Sequence, residues 1–256
     1  MTRTLSNDRA AVLVEAVRRV IDGVRRRAVT VAGAYRRLGV AGAAVAIAGR
    51  LPRRLVSVQW YELHETITPG VPVVPPWPDT RTAGTDDVAA LAAAGQATAD
   101  DIRGRLRNGD TAYLAYDAGE PIGYLWLRAR SWREDDTEFV LQDDERWAYD
   151  SFVVPAHRGR RIAPAVTVHA MAELRRAGVR RVLSVIDRLN EASLRASRRY
   201  GARLIGTFLT VALPGLVVVR EQPPDGGRAA WSLHRRHGPI VRTPPPSAPP
   251  PSGAAT

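Results

Sequence analysis

The residues best suited to chemistry form a basic turn between a predicted strand and a predicted helix. Residues 147–154 are composed like a strand, Pro155 ends it, and residues 162–177 have helical spacing. The first N–H groups of a helix lack intrahelical partners and carry partial positive charge, so a helix start attracts anions, phosphate in particular. Gly159 allows close approach of the backbone to such a ligand. The pattern predicts a phosphate site, with a plain surface turn as the alternative.

Three arginines in the same turn add positive charge. Arg158, Arg160 and Arg161 can each pair with phosphate oxygens in a bidentate manner. The chain contains no lysine, so all 37 of its cationic side chains are arginine. The choice of arginine over lysine at this turn therefore says little about recognition, whereas the clustering of charge beside Gly159 does support an anionic ligand.

The net charge of +11 is concentrated at the two ends of the chain. Residues 1–54 carry +9, residues 55–222 carry −1 and residues 223–256 carry +3. A domain that is almost neutral does not indicate nucleic-acid binding, and no recognition module or stacking aromatic accompanies the N-terminal arginines. The absence of cysteine excludes a disulfide scaffold, thiolate metal ligands and a cysteine nucleophile. No histidine or carboxylate spacing typical of a metal site is present.

The middle of the chain alternates between the periodicities of strands and helices. This mixture, with hairpins, predicts an α+β fold in which helices cover a sheet. The predicted elements, in chain order, are a strand at 55–62, a helix at 86–106 broken near Gly95, strands at 111–116, 122–128 and 147–154, a helix at 162–177, a strand at 181–186, a helix at 191–200 and a hairpin of strands at 204–213 and 216–220.

The basic turn resembles the acetyl-CoA motif of the GNAT superfamily of N-acetyltransferases. That motif is Arg/Gln-x-x-Gly/Ala-x-Gly/Ala, in which Arg158 matches the first position and Ala163 the last, while Arg161 stands where the family usually has glycine. A second landmark fits as well, since Asn190 opens a predicted helix and Gly201 follows it at the family's spacing. The resemblance covers about residues 55–222, and it implies a mixed, mostly antiparallel central sheet with helices on both faces.

The resemblance also implies where acetyl-CoA would bind. In the family the cofactor lies between two splayed central strands, and a backbone N–H of the strand before the motif polarises the thioester carbonyl. An amine attacks directly, so no covalent nucleophile is needed. The cofactor-binding residues implied in this chain are Phe152, Val153, Val154, Arg158, Gly159, Arg160, Arg161, Ile162, Ala163 and Asn190.

The proton-transfer groups are less well defined by the resemblance. Asp150 is the nearest candidate for a base, and an ordinary salt-bridged strand residue is the equal alternative. Many members of the family place a tyrosine acid seven residues after the asparagine, where this chain has Ser197. Tyr200 lies almost one helical turn further on, so Ser197 and Tyr200 are both candidates for the position of the acid. An acidic run at 134–136 would suit a cationic acceptor, or would simply be solvated surface.

The two ends of the chain are expected to lie outside the catalytic domain. Residues 1–54 predict a basic helical extension, with one amphipathic helix from about residue 8 and a second at 32–47. This extension would pack on the domain or, as the alternative, bind a membrane or a protein through residues 8–50. The Arg36–Arg37 pair argues against a membrane span. Residues 223–256 predict a disordered, proline-rich tail.

The expected function is therefore transfer of an acyl group from acetyl-CoA to the amine of a small molecule or a protein, in a cytoplasmic enzyme without a metal. The alternative is a non-catalytic acyl-CoA-binding regulator or adaptor whose basic helix docks elsewhere. Arg161 in place of glycine and Ser197 in place of tyrosine favour this alternative. Nucleic acid is not an expected partner.

Overall fold

A computed structural model of the chain describes residues 31–52, 55–68, 77, 79–95, 97–134, 137–235 and 240–242. Five helices and twelve strands lie in these ranges. The helices are α1 (Val31–Ala48), α2 (Val88–Ala94), α3 (Ala99–Arg107), α4 (Ile162–Arg176) and α5 (Glu191–Arg199). The strands are β1 (Ser57–Ile67), β2 (Thr80–Ala83), β3 (Thr111–Asp117), β4 (Glu120–Arg128), β5 (Trp132–Glu134), β6 (Thr137–Val140), β7 (Glu145–Val153), β8 (Arg181–Asp187), β9 (Arg203–Leu213), β10 (Leu216–Gln222), β11 (Ala230–Arg235) and β12 (Ile240–Arg242).

Nine of the strands form one sheet in the order β11-β10-β9-β1-β8-β7-β4-β3-β2. Every neighbouring pair in it is antiparallel except β7 and β8, which are parallel. A small second sheet has the order β12-β6-β5. The predicted α+β class with a mixed, mostly antiparallel sheet is confirmed.

Helices cover both faces of the large sheet. On one face α4 buries Ile162, Val166 and Met171 against β3 and β4. On the other face α2 and α3 bury Leu91 and Ile102 in a second cluster. Burying a large aliphatic side chain of this kind stabilises the fold by roughly 1.5–3 kcal/mol. These two layers hold β4 and β7 rigidly in the middle of the domain.

Strand β1 occupies a central position in the sheet. It lies between β8 and β9 and is antiparallel to both. Its side chain Leu63 is buried with Trp147, Leu183 and Phe208 in a third core cluster. The sequence predicts a strand at 55–62, and the structure extends it to Ile67. Strand β1 is thus part of the core of the domain.

Helix α1 packs on the domain through a few contacts. Its residues Ala34, Val45 and Ala46 are buried, and Arg37 Nη2 donates to Arg188 O at 2.5 Å. Arg37 Nη1 also lies 3.2 Å from the carboxylate of Glu191. By length and composition α1 is apolar enough to cross a membrane, and less than a quarter of it is buried in the domain. The amphipathic helix predicted from about residue 8 lies outside the described residues.

The predicted boundary at residue 222 divides an ordered part of the sheet. Residues 223–235 include β11, which pairs with β10, and residues 240–242 form β12, which pairs with β6. The prediction of a disordered tail was wrong for these strands. Its physical basis was the proline content, which is concentrated at 244–251 and was extended too far towards the N-terminus. The segment between the predicted strands at 122–128 and 147–154 also contains two short strands, β5 and β6.

Candidate functional site

The parallel strands β7 and β8 separate along their length. They pair only at three positions, from Glu145 opposite Arg181 to Trp147 opposite Leu183. Among the described residues, no strand pairs with β7 on this side beyond Trp147. The rest of β8 continues to pair with β1 on its other side. A V-shaped opening therefore lies in the centre of the sheet.

A β-bulge turns β7 away from β8. Trp126 of β4 pairs with Asp150 and the next residue of β4 pairs with Ala148, so Tyr149 is the extra residue on β7. A bulge bends its strand and redirects a side chain. Tyr149 and Asp150 consequently contact residues on the same face of the sheet, where α3 lies. The bulge follows the last residue of β7 that pairs with β8.

A buried ion cluster closes the narrow end of the opening. Arg181 is fully buried, and its Nε donates to Glu145 Oε1 at 2.9 Å. Its Nη1 donates to Glu65 Oε2 at 3.2 Å, and Arg203 lies 3.3 Å from the same carboxylate. Because Glu145, Arg181 and Glu65 belong to β7, β8 and β1, the cluster ties three strands together where the paired region of β7 and β8 begins.

The wide end of the opening exposes backbone groups of β7. Val154 N–H donates to Ile122 O, so it belongs to the ladder with β4. Successive backbone groups of a strand point to opposite edges. The N–H groups of Val153 and Ser151 therefore point to the open side. Arg158 Nε donates to Val153 O at 3.1 Å, which places its guanidinium at the same edge.

The turn after β7 leads into a helix start without a side-chain cap. A short 3-10 turn at Pro155–His157 is followed by Gly159 at φ +83° and by Arg161, the N-cap of α4. The N–H groups of Ile162 and Ala163 form no hydrogen bond with any described residue. With 15 residues, α4 has a full macrodipole at this end. The arrangement can therefore hold a phosphate group.

Arg161 has a backbone conformation that arginine rarely adopts. Its φ of +63° and ψ of +24° lie in the left-handed region. A residue other than glycine costs roughly 1–3 kcal/mol in such a backbone conformation. This explains why the family motif has glycine at the position of Arg161.

The three arginines of the turn have different surroundings. Arg158 lies over the ring of Phe152, 5.5 Å from its centroid, at the open edge of β7. Arg160 points to the β3–β4 turn instead, where its Nη1 donates to Asp117 Oδ2 at 2.6 Å. Arg161 is exposed. The structure thus brings Arg158 and the start of α4 together and places the guanidinium of Arg160 on a carboxylate of its own domain.

The remaining predicted cofactor residues contribute through their backbones or as supports. The side chains of Phe152 and Val154 pack in the cluster under α2 and α3, and that of Val153 packs on the α4 side. Ile162 is a core residue with 2% of its surface exposed. Asn190 caps α5, since its Oδ1 accepts a hydrogen bond from Ser193 N–H at 3.1 Å.

Asp150 is engaged in an ion pair. Its Oδ2 accepts from Arg105 Nη1 at 2.6 Å, and its Oδ1 accepts from Tyr124 O–H at 3.2 Å. The guanidinium of Arg105 also lies 5.2 Å from the ring centroids of Trp126 and Tyr149. Of the two interpretations of Asp150, a catalytic base and a salt-bridged strand residue, this geometry is that of the salt-bridged residue. Both carboxylate oxygens already accept a hydrogen bond from the protein.

Neither of the two candidates for the acid is exposed to solvent. Ser197 is fully buried, and its hydroxyl donates to Leu194 O within α5 at 2.9 Å. The hydroxyl therefore stabilises the helix and is out of reach of a ligand in this conformation. Tyr200 follows the last residue of α5, and burial raises its pKa to about 12. It holds its proton throughout the neutral range.

A cavity of about 600 Å³ lies next to the splayed part of β8. Its floor includes Val185 and Asp187, which follow the last residue of β8 that pairs with β7. The cavity is lined by Val45, Ala46, Gly49 and Arg50 near the end of α1, by Val58, Gln59 and Tyr61 of β1, by Glu134 of β5, by Val185 and Asp187 of β8, and by Leu189.

Desolvation raises the pKa of both carboxyl groups of the cavity above the usual values for Glu and Asp. Burial raises the pKa of Glu134 above its usual value, although Trp132 Nε1 donates to Oε2 at 2.7 Å. Asp187 is exposed by its surface area, yet desolvation of its carboxyl raises its pKa against the opposing effects of a hydrogen bond from Leu189 N–H and the charge of Arg37. Carboxyl groups of this kind in a cavity are typical of binding and proton-transfer sites.

Sequence reasoning named Glu134 only as one of several acidic residues and did not name Asp187. The other two residues of the acidic run at 134–136, Asp135 and Asp136, lie outside the described residues. Asp187 ends the strand after α4, so its place at the end of β8 was a signal available in the sequence. Its role depends on where β7 and β8 separate and on the pairing of β8 with β1, and neither is visible without the fold.

Several solved structures are similar to this chain at low sequence identity. An acetyltransferase of the GNAT family from Novosphingobium aromaticivorans is 18% identical, with a TM-score of 0.44, over 60% of this chain and 63% of that one. One from Colwellia psychrerythraea is 14% identical, with a TM-score of 0.45, over 61% and 55%. An aminoglycoside 6′-N-acetyltransferase from Acinetobacter haemolyticus is 14% identical, with a TM-score of 0.39, over 48% and 89%. The chain spans less than two thirds of the first two proteins.

Sequence comparison with curated proteins gives no significant match. A family profile described as the acetyltransferase (GNAT) family matches residues 75–202, which is half of the chain. The match begins five residues before β2 and ends three residues after α5. It therefore includes both splayed strands and the start of α4. The chain belongs to the GNAT acetyltransferase family.

Proposed function

We propose that the protein transfers an acetyl group from acetyl-CoA to an amine. The observation that carries this proposal is the combination of two features at one place. The sheet opens between β7 and β8, and the uncapped start of α4 follows β7 directly. Membership of the family indicates an acetyltransferase. The use of acetyl-CoA by this chain and an amine as its acceptor are what we propose.

The residues at the opening fit such a cofactor. The unpaired N–H groups of Ile162 and Ala163, with Gly159 before them, form an anion site for the pyrophosphate. Arg158 adds a guanidinium beside it. The free edge of β7 offers N–H and C=O groups to an extended amide-containing arm, which would pair with it like an added strand.

The chemistry needs one electrophile and no covalent nucleophile. Acetyl-CoA, when bound, supplies the acetyl thioester. The N–H groups of Ser151 and Val153 point to the open side of β7 and can polarise a carbonyl oxygen there, as oxyanion-hole donors do. Fixing an amine next to that carbonyl lowers the entropic cost of the encounter. The chain's remaining task is to accept a proton from the amine.

A thiol-release assay tests the proposal. Full-length protein with acetyl-CoA and a panel of primary amines should release free thiol above the uncatalysed rate. Mass spectrometry should find one acetyl group added to the reacting amine. Arg158→Ala should raise the KM for acetyl-CoA by about 10- to 100-fold, the loss of one charge-assisted hydrogen bond. Thiol release at the background rate over the whole panel would contradict the proposal.

A non-catalytic role as an acyl-CoA-binding regulator is the second candidate. The burial of Ser197 and the high pKa of Tyr200 favour it, because neither hydroxyl is suited to protonate a leaving thiolate at neutral pH. Under this alternative acetyl-CoA binds but no amine is acetylated. Tight binding together with background thiol release would therefore favour the regulator.

A further inference from the structure

The cavity beside β8 is built largely from parts of the chain outside the family match. Val45 and Ala46 of α1 and Gln59 and Tyr61 of β1 precede residue 75, where the match begins. Of the lining residues, only Glu134 of β5, Val185 and Asp187 of β8, and Leu189 lie within the matched range. Helix α1 and strand β1 thus enclose, together with β5 and β8, a space next to the site of the proposed acetyl transfer.

The cavity borders the opening of the sheet on the side of β8. Val185 and Asp187 line it, and both lie beyond the last pair of β7 with β8. On the side of β7, Trp132 connects the two regions, because its ring stacks on Tyr149 at 4.6 Å and its Nε1 donates to Glu134. A molecule in the cavity would lie against the same splayed segment that borders the free edge of β7.

The polar side chains of the cavity include both acceptors and donors of hydrogen bonds. Glu134 and Asp187 bring two carboxyl groups, and Gln59 Oε1 is buried without a hydrogen-bond partner among the described residues. Arg50 also lines the cavity, and its Nη1 donates to Ala46 O of its own helix. A buried acceptor without a donor costs about 1–3 kcal/mol. The carboxylates of Glu134 and Asp187 are the acceptors that a ligand with N–H donors would meet in the cavity.

The remaining wall of the cavity is apolar and its size is that of a small-molecule site. Val45, Val58, Val185 and Leu189 supply hydrocarbon surface. Small-molecule sites have volumes of roughly 300–1,000 Å³ and combine apolar walls with a few polar groups. The 600 Å³ cavity lies in this range of volume, and polar atoms supply more than half of its lining surface.

We propose that this cavity binds the acceptor as a small primary amine with an apolar body, and that Glu134 and Asp187 recognise its ammonium group. Asp187 takes one proton from the ammonium, which frees the nitrogen lone pair. The nitrogen then forms a bond to the thioester carbonyl carbon, the carbon–sulfur bond breaks, and the second amine proton passes to the departing thiolate through solvent. The products are an N-substituted acetamide and free thiol.

The acetyl-transfer step rests on the proposed function, whereas the binding step can be measured without acetyl-CoA. The probe is 2-phenylethylamine, an ammonium with an apolar body, and its neutral counterpart is 2-phenylethanol. Isothermal titration of the full chain should show that the amine binds and that the alcohol binds at least about tenfold more weakly, since a charge-assisted hydrogen bond contributes about 1.5–3 kcal/mol.

Two isosteric variants and two controls locate the binding. Asp187→Asn and Glu134→Gln should each weaken binding of the amine by about tenfold or more and leave binding of the alcohol unchanged. Asp225→Asn and Glu138→Gln remove a carboxylate outside the cavity and should change neither. Circular dichroism of all four variants shows whether they are folded.

The outcomes separate this inference from the proposed function. Equal affinity for amine and alcohol, or unchanged amine affinity in both cavity variants, overturns the inference. So does the lack of saturable binding of 2-phenylethylamine, hexylamine and putrescine up to about 10 mM, a concentration that would detect even a very weak site. Amine binding that depends on Asp187, without any thiol release from acetyl-CoA, supports the inference and contradicts acetyl transfer.

Discussion

At the scale of single residues, Arg161 shows how the turn keeps its shape without the usual glycine. The left-handed backbone at φ +63° is imposed by the start of α4, so the side chain is tolerated at a cost. Arg161→Gly should raise the free energy of unfolding by about 1 kcal/mol, because relief of this strain exceeds the greater chain entropy of glycine. Urea denaturation measures the change.

The matched control for Arg161→Gly is Arg161→Ala. Alanine removes the same charge and retains the steric conflict of a β-carbon, so it should leave the free energy of unfolding within about 0.5 kcal/mol of the wild type, as an exposed substitution does. If alanine and glycine stabilise the protein equally, charge repulsion among the arginines and not backbone strain is the cause.

The ionisation of Asp187 in the proposed acceptor cavity is expected to make the stability of the fold depend on pH. Desolvation raises its pKa above the usual value of 3.8, so the ionised carboxylate at pH 7 destabilises the folded state. Stability from the protonated form is fully present below the unfolded pKa and is lost as pH rises through the folded pKa. Asp187→Asn should therefore unfold at higher urea concentration than the wild type at pH 7, and the difference should shrink towards pH 4.

Asp225→Asn is the control for this pH dependence. Asp225 is exposed, and its Oδ1 accepts a hydrogen bond from the N–H two residues later, as Asp187 does. The control should show no stabilisation at pH 7. A stabilisation by Asp187→Asn that is the same at pH 7 and pH 4 would exclude the titration of this carboxyl as its origin.

Residue roles were predictable from the sequence where they depend on local backbone. Arg158 and Gly159 precede a helix start, and this local pattern was enough to predict an anion site there. The positions of Ser197 and Tyr200 relative to the cleft depend on how α5 packs, which spacing alone did not determine. Asp187 required the pairing of β8 with both of its neighbours.

At the scale of elements, the buried cluster around Arg181 holds the closed end of the opening. Arg181→Ala should lower the free energy of unfolding by about 3–5 kcal/mol, because it leaves the carboxylates of Glu65 and Glu145 buried without their shared partner. The neighbouring Arg180 is exposed and pairs with Asp144. Arg180→Ala should cost less than about 1 kcal/mol, and a similar loss for both variants would contradict the account of the cluster.

Most elements of the domain were predictable because their periodicity is strong. The predicted helices at 162–177 and 191–200 differ from α4 and α5 by one residue at an end. β11 was missed because the proline-rich composition after residue 222 outweighed the alternation around Trp231 and Leu233. The position of β1 in the middle of the sheet was not predictable, because strand order depends on long-range pairing and not on local pattern.

At the scale of the whole molecule, the basic N-terminal extension is joined to the site by α1. Arg37 attaches α1 to Arg188 and Glu191, next to the end of β8. Arg37→Ala should weaken binding of 2-phenylethylamine severalfold, since the helix that walls the cavity is held less firmly, and should not change the affinity for acetyl-CoA. The comparison is made by titration of both ligands.

Arg36→Ala is the matched control for this anchor. Arg36 Nε donates to Ala32 O within α1, and among the described residues Arg36 forms no hydrogen bond or ion pair with the body of the domain. The control should bind the amine as the wild type does. If Arg36→Ala and Arg37→Ala weaken binding alike, the general charge of α1 and not its attachment determines the affinity.

The central claim is that the opening between β7 and β8, with the start of α4, binds acetyl-CoA. Isothermal titration of the full-length protein with acetyl-CoA tests it most directly, with Arg158→Glu as the variant and Arg176→Glu, at the other end of α4, as the control with the same charge change. The account predicts saturable binding that weakens by at least about 100-fold in Arg158→Glu and changes little in Arg176→Glu. No binding by the wild type, or equal weakening in both variants, would contradict it.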